Sequence, residues 1–146
     1  MKLKDSGERR EFETGSVRDS GEGKGRFDLL SPISMVLDAQ HMQRGAEKYS
    51  DRNWEKGQPL SQYINSALRH VQKAMMGLTD EPHIDAAVWN LNAYRHTLMM
   101  IEVGALPASL DDRPRWGKGF AEMVASRLFP DFDTGDPNQP EFDFES

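Results

Sequence analysis

The stretch from Gly45 to Pro59, GAEKYSDRNWEKGQP, sets charged and amide side chains around one tyrosine and one tryptophan. Lysine and arginine bind phosphate oxygens, an amide can bond to the edge of a base, and an aromatic ring can stack on its face. We therefore predict a ligand pocket at this polar corner. The alternative is a corner between two helices, with Trp54 packed into the core. The pocket residues would be Glu47, Lys48, Asp51, Arg52, Asn53 and Trp54.

A second polar group lies in the segment LRHVQK, where Arg69, His70 and Lys73 occupy adjacent turns of a predicted helix. This spacing places all three beside the apolar stripe of that helix. Together they could hold a triphosphate, because each can carry a positive charge that pairs with phosphate oxygens. The alternative is an exposed basic face, since charged runs on helices are commonly solvated.

The segment TDEPHIDAAVWN contains a third group. His83 and Asn90 are seven residues apart and therefore share one helical face, with small alanines between them that leave room for a ligand or a close-packed helix. Carboxylates at the start of this helix favour its dipole, and they are also oxygen ligands that suit Mg²⁺ or Mn²⁺. These carboxylates are Asp80, Glu81 and Asp85.

The glycine-rich segment DSGEGKGRFD is a fourth candidate, in which Lys24, Arg26 and backbone N–H groups could surround phosphates. It lacks the spacing of a Walker loop. The two remaining histidines, His41 and His96, stand alone on their helix faces, and we interpret both as structural.

Hydrophobic spacing predicts an all-α domain, a small bundle of three main helices with a short C-terminal helix. The helices should span Pro32–Tyr49, Pro59–Met76, Glu81–Val103 and Phe120–Phe129. Ser31 and Pro32 form a good helix start, and Gly77 a good helix end. The apolar stripe of the first helix is Met35, Ala39, Met42, Ala46 and Tyr49. We expect the third helix to bury Ile84, Ala87, Val88, Leu91, Tyr94, Leu98 and Ile101.

The charge distribution divides the chain into three parts. Residues 1–30 form a glycine-rich extended arm, residues 31–130 the helical domain, and residues 131–146 a disordered tail with six acidic residues and no basic one. The tail accounts for the whole net charge of −6. No segment has the basic surplus that nucleic-acid binding commonly shows, so we expect no direct nucleic-acid binding.

The composition also indicates the cellular compartment of the protein. The sequence has no cysteine and no apolar run near the roughly 20 residues of a membrane span, which is typical of a soluble cytoplasmic protein. Eight methionines and three apolar stripes are compatible with a core or with a subunit interface. A homo-oligomer is therefore plausible.

Four blocks together resemble one family: FETGSVRDSGEGKGRFDLLSP, GAEKYSDRNWEKG, SALRH and DEPHIDAAVWN. It is the dATP/dGTP diphosphohydrolase N-terminal domain of tailed phages and their prophages, and the resemblance covers roughly residues 7–100. It implies a role in phage nucleotide metabolism, in the host cytoplasm, with purine deoxynucleoside triphosphates as substrates. Family members are associated with the MazG-like all-α pyrophosphohydrolases, which cleave a triphosphate to a monophosphate and pyrophosphate with Mg²⁺ or Mn²⁺ and commonly assemble as dimers or tetramers.

The leading hypothesis is therefore a metal-dependent deoxynucleoside triphosphate pyrophosphohydrolase. His70 and His83 would be catalytic, by binding metal or holding a phosphate. The metal ligands would be Glu47, Asp51, Asp80, Glu81 and Asp85. The substrate-binding residues would be Lys24, Arg26, Lys48, Arg52, Asn53, Trp54, Arg69 and Asn90.

The MazG-like enzymes carry pairs of acidic residues on two core helices, whereas the second helix here, LSQYINSALRHVQKAMMG, has no acidic residue. This difference favours the alternative hypothesis, a non-catalytic nucleotide-binding or adaptor protein that acts through oligomerisation and its acidic tail.

Overall fold

The computed structural model describes residues 7–21 and 23–129. Within that part, four α-helices dominate: α1 Pro32–Tyr49, α2 Leu60–Met75, α3 His83–Glu102 and α4 Lys118–Leu128. Single 3₁₀ turns precede α1 at Phe27–Leu29, join α1 to α2 at Asn53–Lys56, and follow α3 at Ala108–Leu110. The predicted all-α class is confirmed. No helix of the described part is long and apolar enough to cross a membrane.

The ends of the helices follow local chemistry. Ser31 Oγ accepts a hydrogen bond from the backbone N–H of Ser34 at 3.3 Å, and Pro32 occupies the first helical position of α1. After α2, Gly77 adopts φ +73°, the left-handed conformation that ends a helix at little cost for glycine.

The core lies between α2 and α3, which pack as an antiparallel hairpin. Leu60, Tyr63 and Ala93 form its centre, and Trp89, Tyr94, Leu98 and Ile101 pack around them. Small residues, including Ala67 and Ala86, are buried between the two helices and allow their backbones to approach closely. The buried Thr97 hydroxyl donates a hydrogen bond to Tyr63 Oη at 3.2 Å, which satisfies two polar groups inside the hairpin.

The predicted stripes of α1 and α3 were partly wrong. No residue of α1 is fully buried, and Met35 and Tyr49 are more than half exposed. On α3, Ile84, Val88 and Leu91 are exposed, whereas Ala86, Asn90 and Thr97 are buried in their place. The reason is packing distance: the close contact with α2 selects small side chains and displaces the larger ones to the outside of the hairpin.

The arm contains a small hairpin that the sequence analysis did not predict. β1 (Arg9–Glu11) pairs antiparallel with β2 (Val17–Asp19), with Arg10 opposite Arg18. All residues of both strands are exposed. The acidic tail at 131–146 lies outside the described residues.

A loop residue caps α2 from far along the chain. The N-cap position, Pro59, offers no side-chain hydrogen bond to the helix. Instead, Asp112 Oδ1 accepts from the backbone N–H of Ser61 at 2.8 Å, and Asp112 Oδ2 accepts from Ser61 Oγ at 2.5 Å. These bonds lower the pKa of Asp112 and attach the segment after α3 to the start of α2.

We predict that Asp112→Ala lowers the melting temperature at pH 7 by a few degrees, because the start of α2 loses its cap. The depressed pKa means that the stabilisation is complete above the ordinary aspartate pKa of about 4 and is lost as the pH falls through the lower folded-state value. The difference in melting temperature between wild type and variant should therefore shrink on acidification. Thermal unfolding followed by circular dichroism across pH 2–7 measures it.

Ser109→Ala, a change at an exposed position of the same loop, is the control and should leave the melting temperature unchanged. If the difference in melting temperature between wild type and Asp112→Ala stayed constant with pH, the cap could not depend on the ionised carboxylate of Asp112.

Candidate functional site

A cavity of about 380 Å³ opens between α1, the turn at Asn53–Lys56, α2 and α3. Its wall combines three aromatic rings with two guanidinium groups and several amides. The aromatic residues are Tyr49, Trp54 and Trp89, the arginines are Arg52 and Arg69, and the amides include Asn53, Gln58, Gln62 and Asn90. The polar corner that the sequence predicted as a pocket is therefore one wall of a real cavity.

Both tryptophans contact other rings, and Trp89 contacts His41 in the cavity wall with ring centroids 5.8 Å apart. Trp54 meets His96 edge to face, with ring centroids 4.7 Å apart, and Trp89 meets Tyr63 at 6.4 Å. Both tryptophans also line a smaller cavity of about 220 Å³ on the His96 side. The aromatic wall is thus positioned by the core of the hairpin and by His96.

The corner that carries Trp54 is backbone-strained. Ser50 has φ +83° and Arg52 φ +56°, conformations that cost a residue with a Cβ of order 1–3 kcal/mol. Gly57 closes the corner at φ +74°, and a Cβ there would lie 2.8 Å from Leu106 Cδ1. The strained residues belong to the cavity wall, which is where such strain commonly occurs.

His41 lies in the same wall and has an unsatisfied polar atom. Its Nδ1 is buried without a hydrogen-bond partner among the described residues. Burial of the ring lowers the pKa of His41, and the charge of Arg44 lowers it further, against the opposing effect of Asp85. The lowered pKa favours the neutral imidazole at pH 7.

A cluster of two histidines and one carboxylate joins the end of α2 to the start of α3. His70 Nδ1 is 3.3 Å from His83 Nδ1, and Glu81 Oε1 is 3.5 Å from His70 Nδ1 and 3.4 Å from His83 Nδ1. His83 is only 3% exposed, whereas Glu81 is half-exposed at the rim. These three residues form a group whose ligand atoms are close enough to hold a metal ion.

Two further charged side chains, Asp80 and Lys73, contact this cluster. Asp80 Oδ1 is 3.0 Å from His83 Nε2, and Lys73 Nζ is 3.6 Å from Glu81 Oε1 and 3.9 Å from Asp80 Oδ2. Partial desolvation raises the pKa of Asp80, but hydrogen bonds from its own backbone and from His83 outweigh this, so the pKa is lowered. Asp80 is therefore a carboxylate that accepts from the His83 ring.

The cavity and the cluster are neighbours. Arg69 lines the cavity, and the next residue, His70, belongs to the cluster. His41 in the cavity wall is close enough to His70 and Glu81 for their charges to influence its pKa. Arg44 on α1 reaches Asp85 on α3 at 3.7 Å and ties the two helices together on this side. The two features therefore adjoin at Arg69 and His70 on α2.

The structure brings together only part of the predicted site. Within the cavity wall are Arg52, Asn53, Trp54, Arg69 and Asn90. Within the cluster or in direct contact with it are His70, His83, Glu81 and Asp80. Asp85 belongs to neither feature and is paired with Arg44 at 3.7 Å.

The remaining predicted residues lie outside both features. Glu47 accepts a hydrogen bond from Gln43, and Lys48 lies over the Tyr49 ring, 4.9 Å from its centre. Arg26 is paired with Asp28 at 2.6 Å on the surface. Lys24 and Asp51 are exposed residues that belong neither to the cavity wall nor to the cluster.

Sequence reasoning missed His41 and Trp89. His41 was interpreted as structural because no other histidine or recognised motif lies on its helix face, and several of its neighbours in the cavity wall come from α2 and α3. Trp89 precedes Asn90 in the segment that drew attention, but it received no role. Its neighbour Asn90, whose side chain donates to the Ala86 carbonyl at 2.8 Å, is buried as expected for a residue facing α2.

Residues 14–105, more than half of the chain, match the family described as dATP/dGTP diphosphohydrolase, N-terminal. The chain belongs to this family. The matched range includes all of α1, α2 and α3, and therefore both the cavity and the cluster. No curated protein and no solved structure matches the sequence.

We predict that Gly57→Ala destabilises the fold more than Gly104→Ala. Both glycines have positive φ, so both variants carry a backbone cost of about 1–2 kcal/mol. Only at Gly57 would the new Cβ also press against Leu106 and Leu110, whereas Gly104 has open space. Urea unfolding followed by tryptophan fluorescence compares the two variants, and Gly57→Ala should also change the native fluorescence because the turn carries Trp54. Equal losses of stability would show that the side chains of Leu106 and Leu110 do not fix the corner.

Proposed function

We propose that this chain is a metal-dependent diphosphohydrolase of purine deoxynucleoside triphosphates. The observation that carries the proposal is the adjacency of two features: a cavity lined by aromatic rings and arginines, and a histidine–carboxylate cluster directly beside it. A nucleotide needs both, since its base is flat and aromatic and its phosphates are anionic. The family assignment indicates the same substrate class.

The aromatic wall suits the base. Trp54 and Trp89 present indole rings on which a purine can stack, an interaction worth about 1–3 kcal/mol per base. Asn53 and Asn90 also line the cavity. The Asn53 amide nitrogen and the Asn90 amide oxygen remain for the base or the sugar, because Asn53 Oδ1 accepts from Lys56 Nζ and Asn90 Nδ2 donates to the Ala86 carbonyl. A cavity of about 380 Å³ is within the size range of small-molecule sites.

The arginines suit the phosphates. Arg69 lines the cavity and directly precedes His70 of the cluster, so we assign the triphosphate to its guanidinium group, with the base at the tryptophans. Arg52 is at present paired with Glu55 at 2.7 Å, and it is largely exposed at the rim.

The reaction would be attack of water on the α-phosphorus, with cleavage of the bond to the α,β-bridging oxygen. The products are the deoxynucleoside monophosphate and pyrophosphate. A divalent cation such as Mg²⁺ or Mn²⁺, when bound, offsets phosphate charge and lowers the pKa of a bound water. In the chain itself, Glu81 would offer the nearest carboxylate oxygen to such an ion, His70 and His83 adjoin it, and Asp80 orients the His83 ring.

A second copy of the chain would cover the exposed face of the hairpin. Ile64, Leu68 and Val71 on α2, and Ile84, Val88 and Leu91 on α3, are exposed apolar residues at helical spacing. In an antiparallel pair their helical phase places both stripes on the face opposite to the cavity, whose wall includes Gln62, Ser66 and Trp89. Paired apolar stripes of this kind are typical of subunit interfaces.

The first test of the activity is pyrophosphate release from dATP, dGTP and the matching ribonucleotides, with Mg²⁺, with Mn²⁺ and with EDTA. We predict metal-dependent release that favours the purine deoxynucleotides. Arg69→Ala should lower kcat/KM by about 10- to 100-fold, because it removes a charge-assisted bond to phosphate of about 1.5–3 kcal/mol.

Arg26→Ala is the matched control, since its guanidinium is paired with Asp28 away from the cavity, and it should retain wild-type activity. Nucleotide binding without any release of pyrophosphate would overturn the catalytic proposal and favour the adaptor function. An equal loss in both arginine variants would contradict the placement of the phosphates.

We predict that Leu68→Arg shifts the chain toward the monomer, because it places a charge in the centre of the apolar face. Val103→Arg, at an exposed position at the end of α3 and outside that face, is the control and should leave the molecular mass unchanged. Light scattering coupled to gel filtration measures the mass of each variant. A monomeric wild type would contradict the proposed assembly.

A further inference from the structure

Three ligand atoms in the His70–Glu81–His83 cluster face one another across nearly equal distances. The sides of the triangle formed by His70 Nδ1, His83 Nδ1 and Glu81 Oε1 are 3.3, 3.4 and 3.5 Å. In a regular tetrahedron, ligands that are each about 2.1 Å from a metal ion lie about 3.4 Å apart. Adjacent ligands around octahedral Mg²⁺ lie only about 3 Å apart. The triangle therefore has the dimensions of a tetrahedral metal site.

The hydrogen bond with Asp80 determines which nitrogen of His83 faces this triangle. Because a carboxylate only accepts, His83 Nε2 must carry the proton in the 3.0 Å contact with Asp80 Oδ1. In the neutral ring, Nδ1 then carries a lone pair that faces Glu81 Oε1 at 3.4 Å. His70 Nδ1, 3.3 Å away, can donate its proton to this lone pair, and a cation that displaces the proton would be bound by both nitrogens and by Glu81 Oε1.

The donor set discriminates between cations. Two imidazole nitrogens and one carboxylate oxygen suit zinc and its first-row neighbours, whereas Mg²⁺ prefers oxygen ligands alone. Three protein ligands with a fourth position left open is the arrangement of catalytic rather than structural zinc sites. A carboxylate that accepts from the second nitrogen of a ligating histidine is the usual outer partner in such sites, and Asp80 occupies that place.

We infer that the cluster binds one transition-metal ion of the zinc type in tetrahedral coordination, through His70 Nδ1, His83 Nδ1 and Glu81 Oε1. Asp80 is a positioning residue that fixes the tautomer of His83. Lys73, 3.6 Å from Glu81 Oε1, neutralises the carboxylates when the ion is not bound. This inference concerns ion binding alone and does not depend on nucleotide hydrolysis, so either can fail without the other.

The experiment titrates the full-length, chelator-treated protein with Co²⁺, whose visible absorption is intense in tetrahedral and weak in octahedral coordination, and then adds Zn²⁺ or Mg²⁺. We predict one Co²⁺ per chain with a tetrahedral spectrum, displacement by one equivalent of Zn²⁺, and no displacement by a hundredfold excess of Mg²⁺. Because the ion bridges α2 and α3, Zn²⁺ should also raise the melting temperature.

Three variants and one control locate the site. Glu81→Gln keeps the size of a half-exposed side chain and should abolish the tetrahedral spectrum, and His83→Ala should do the same if it folds. Asp80→Asn should keep one ion per chain but lower the affinity about 10- to 100-fold. His96→Gln, which changes a histidine outside the cluster, should bind as wild type does.

Three results would overturn the inference. They are the absence of Co²⁺ binding, a weak octahedral spectrum that Mg²⁺ removes, and unchanged binding by Glu81→Gln. Unchanged binding by Glu81→Gln would show that other acidic groups of the chain hold the ion. A cluster that instead shares protons would show no metal-dependent change in melting temperature.

Discussion

The close contact between α2 and α3 is the constraint on which the rest of the structure depends. Alanines at 67, 86 and 93 and the Thr97–Tyr63 hydrogen bond let the two helices approach along their whole length. That approach brings His70, near the end of α2, to 3.3 Å from His83, the first residue of α3. The two histidines are thirteen residues apart in the sequence, and they meet only because α2 and α3 pack against each other as a hairpin.

The same packing explains why polar groups replace large apolar ones inside the hairpin. His83, Asn90 and Thr97 are buried polar residues, and each has a partner that offsets the cost of its burial: Asp80 for His83, the Ala86 carbonyl for Asn90, and Tyr63 for Thr97. The larger apolar residues, such as Leu68 and Val88, are displaced to the opposite face. One face of the hairpin thus lines the cavity under α1, and the opposite face carries the exposed apolar residues. Both the buried polar residues and the exposed apolar face follow from the small residues at the contact between α2 and α3.

The sequence predicted the helices well because their ends are local features. α1 begins and ends where it was expected, since Ser31, Pro32 and the polar corner act within a few residues. The burial of Ile84 and Leu91 was predicted wrongly, because hydrophobic spacing cannot show which of two adjacent stripes faces a neighbour that accepts only small side chains. The β1–β2 hairpin was missed because strands of three residues give no measurable alternation. The cluster was found as separate residues but not as a unit, since its geometry requires the turn between α2 and α3.

The central claim is that the cavity and the cluster form one continuous site for a nucleotide. The most direct test measures, by calorimetry, the affinity for deoxyguanosine and for a dGTP analogue that cannot be hydrolysed between its α- and β-phosphates. Both should be measured with and without one equivalent of Zn²⁺, in the wild type and in Glu81→Gln. We predict that the ion raises the affinity for the triphosphate by at least about 5-fold in the wild type only, and that it leaves the affinity for the nucleoside unchanged. An ion that changes the affinity for neither compound, or for both equally, would show that the two features are separate sites.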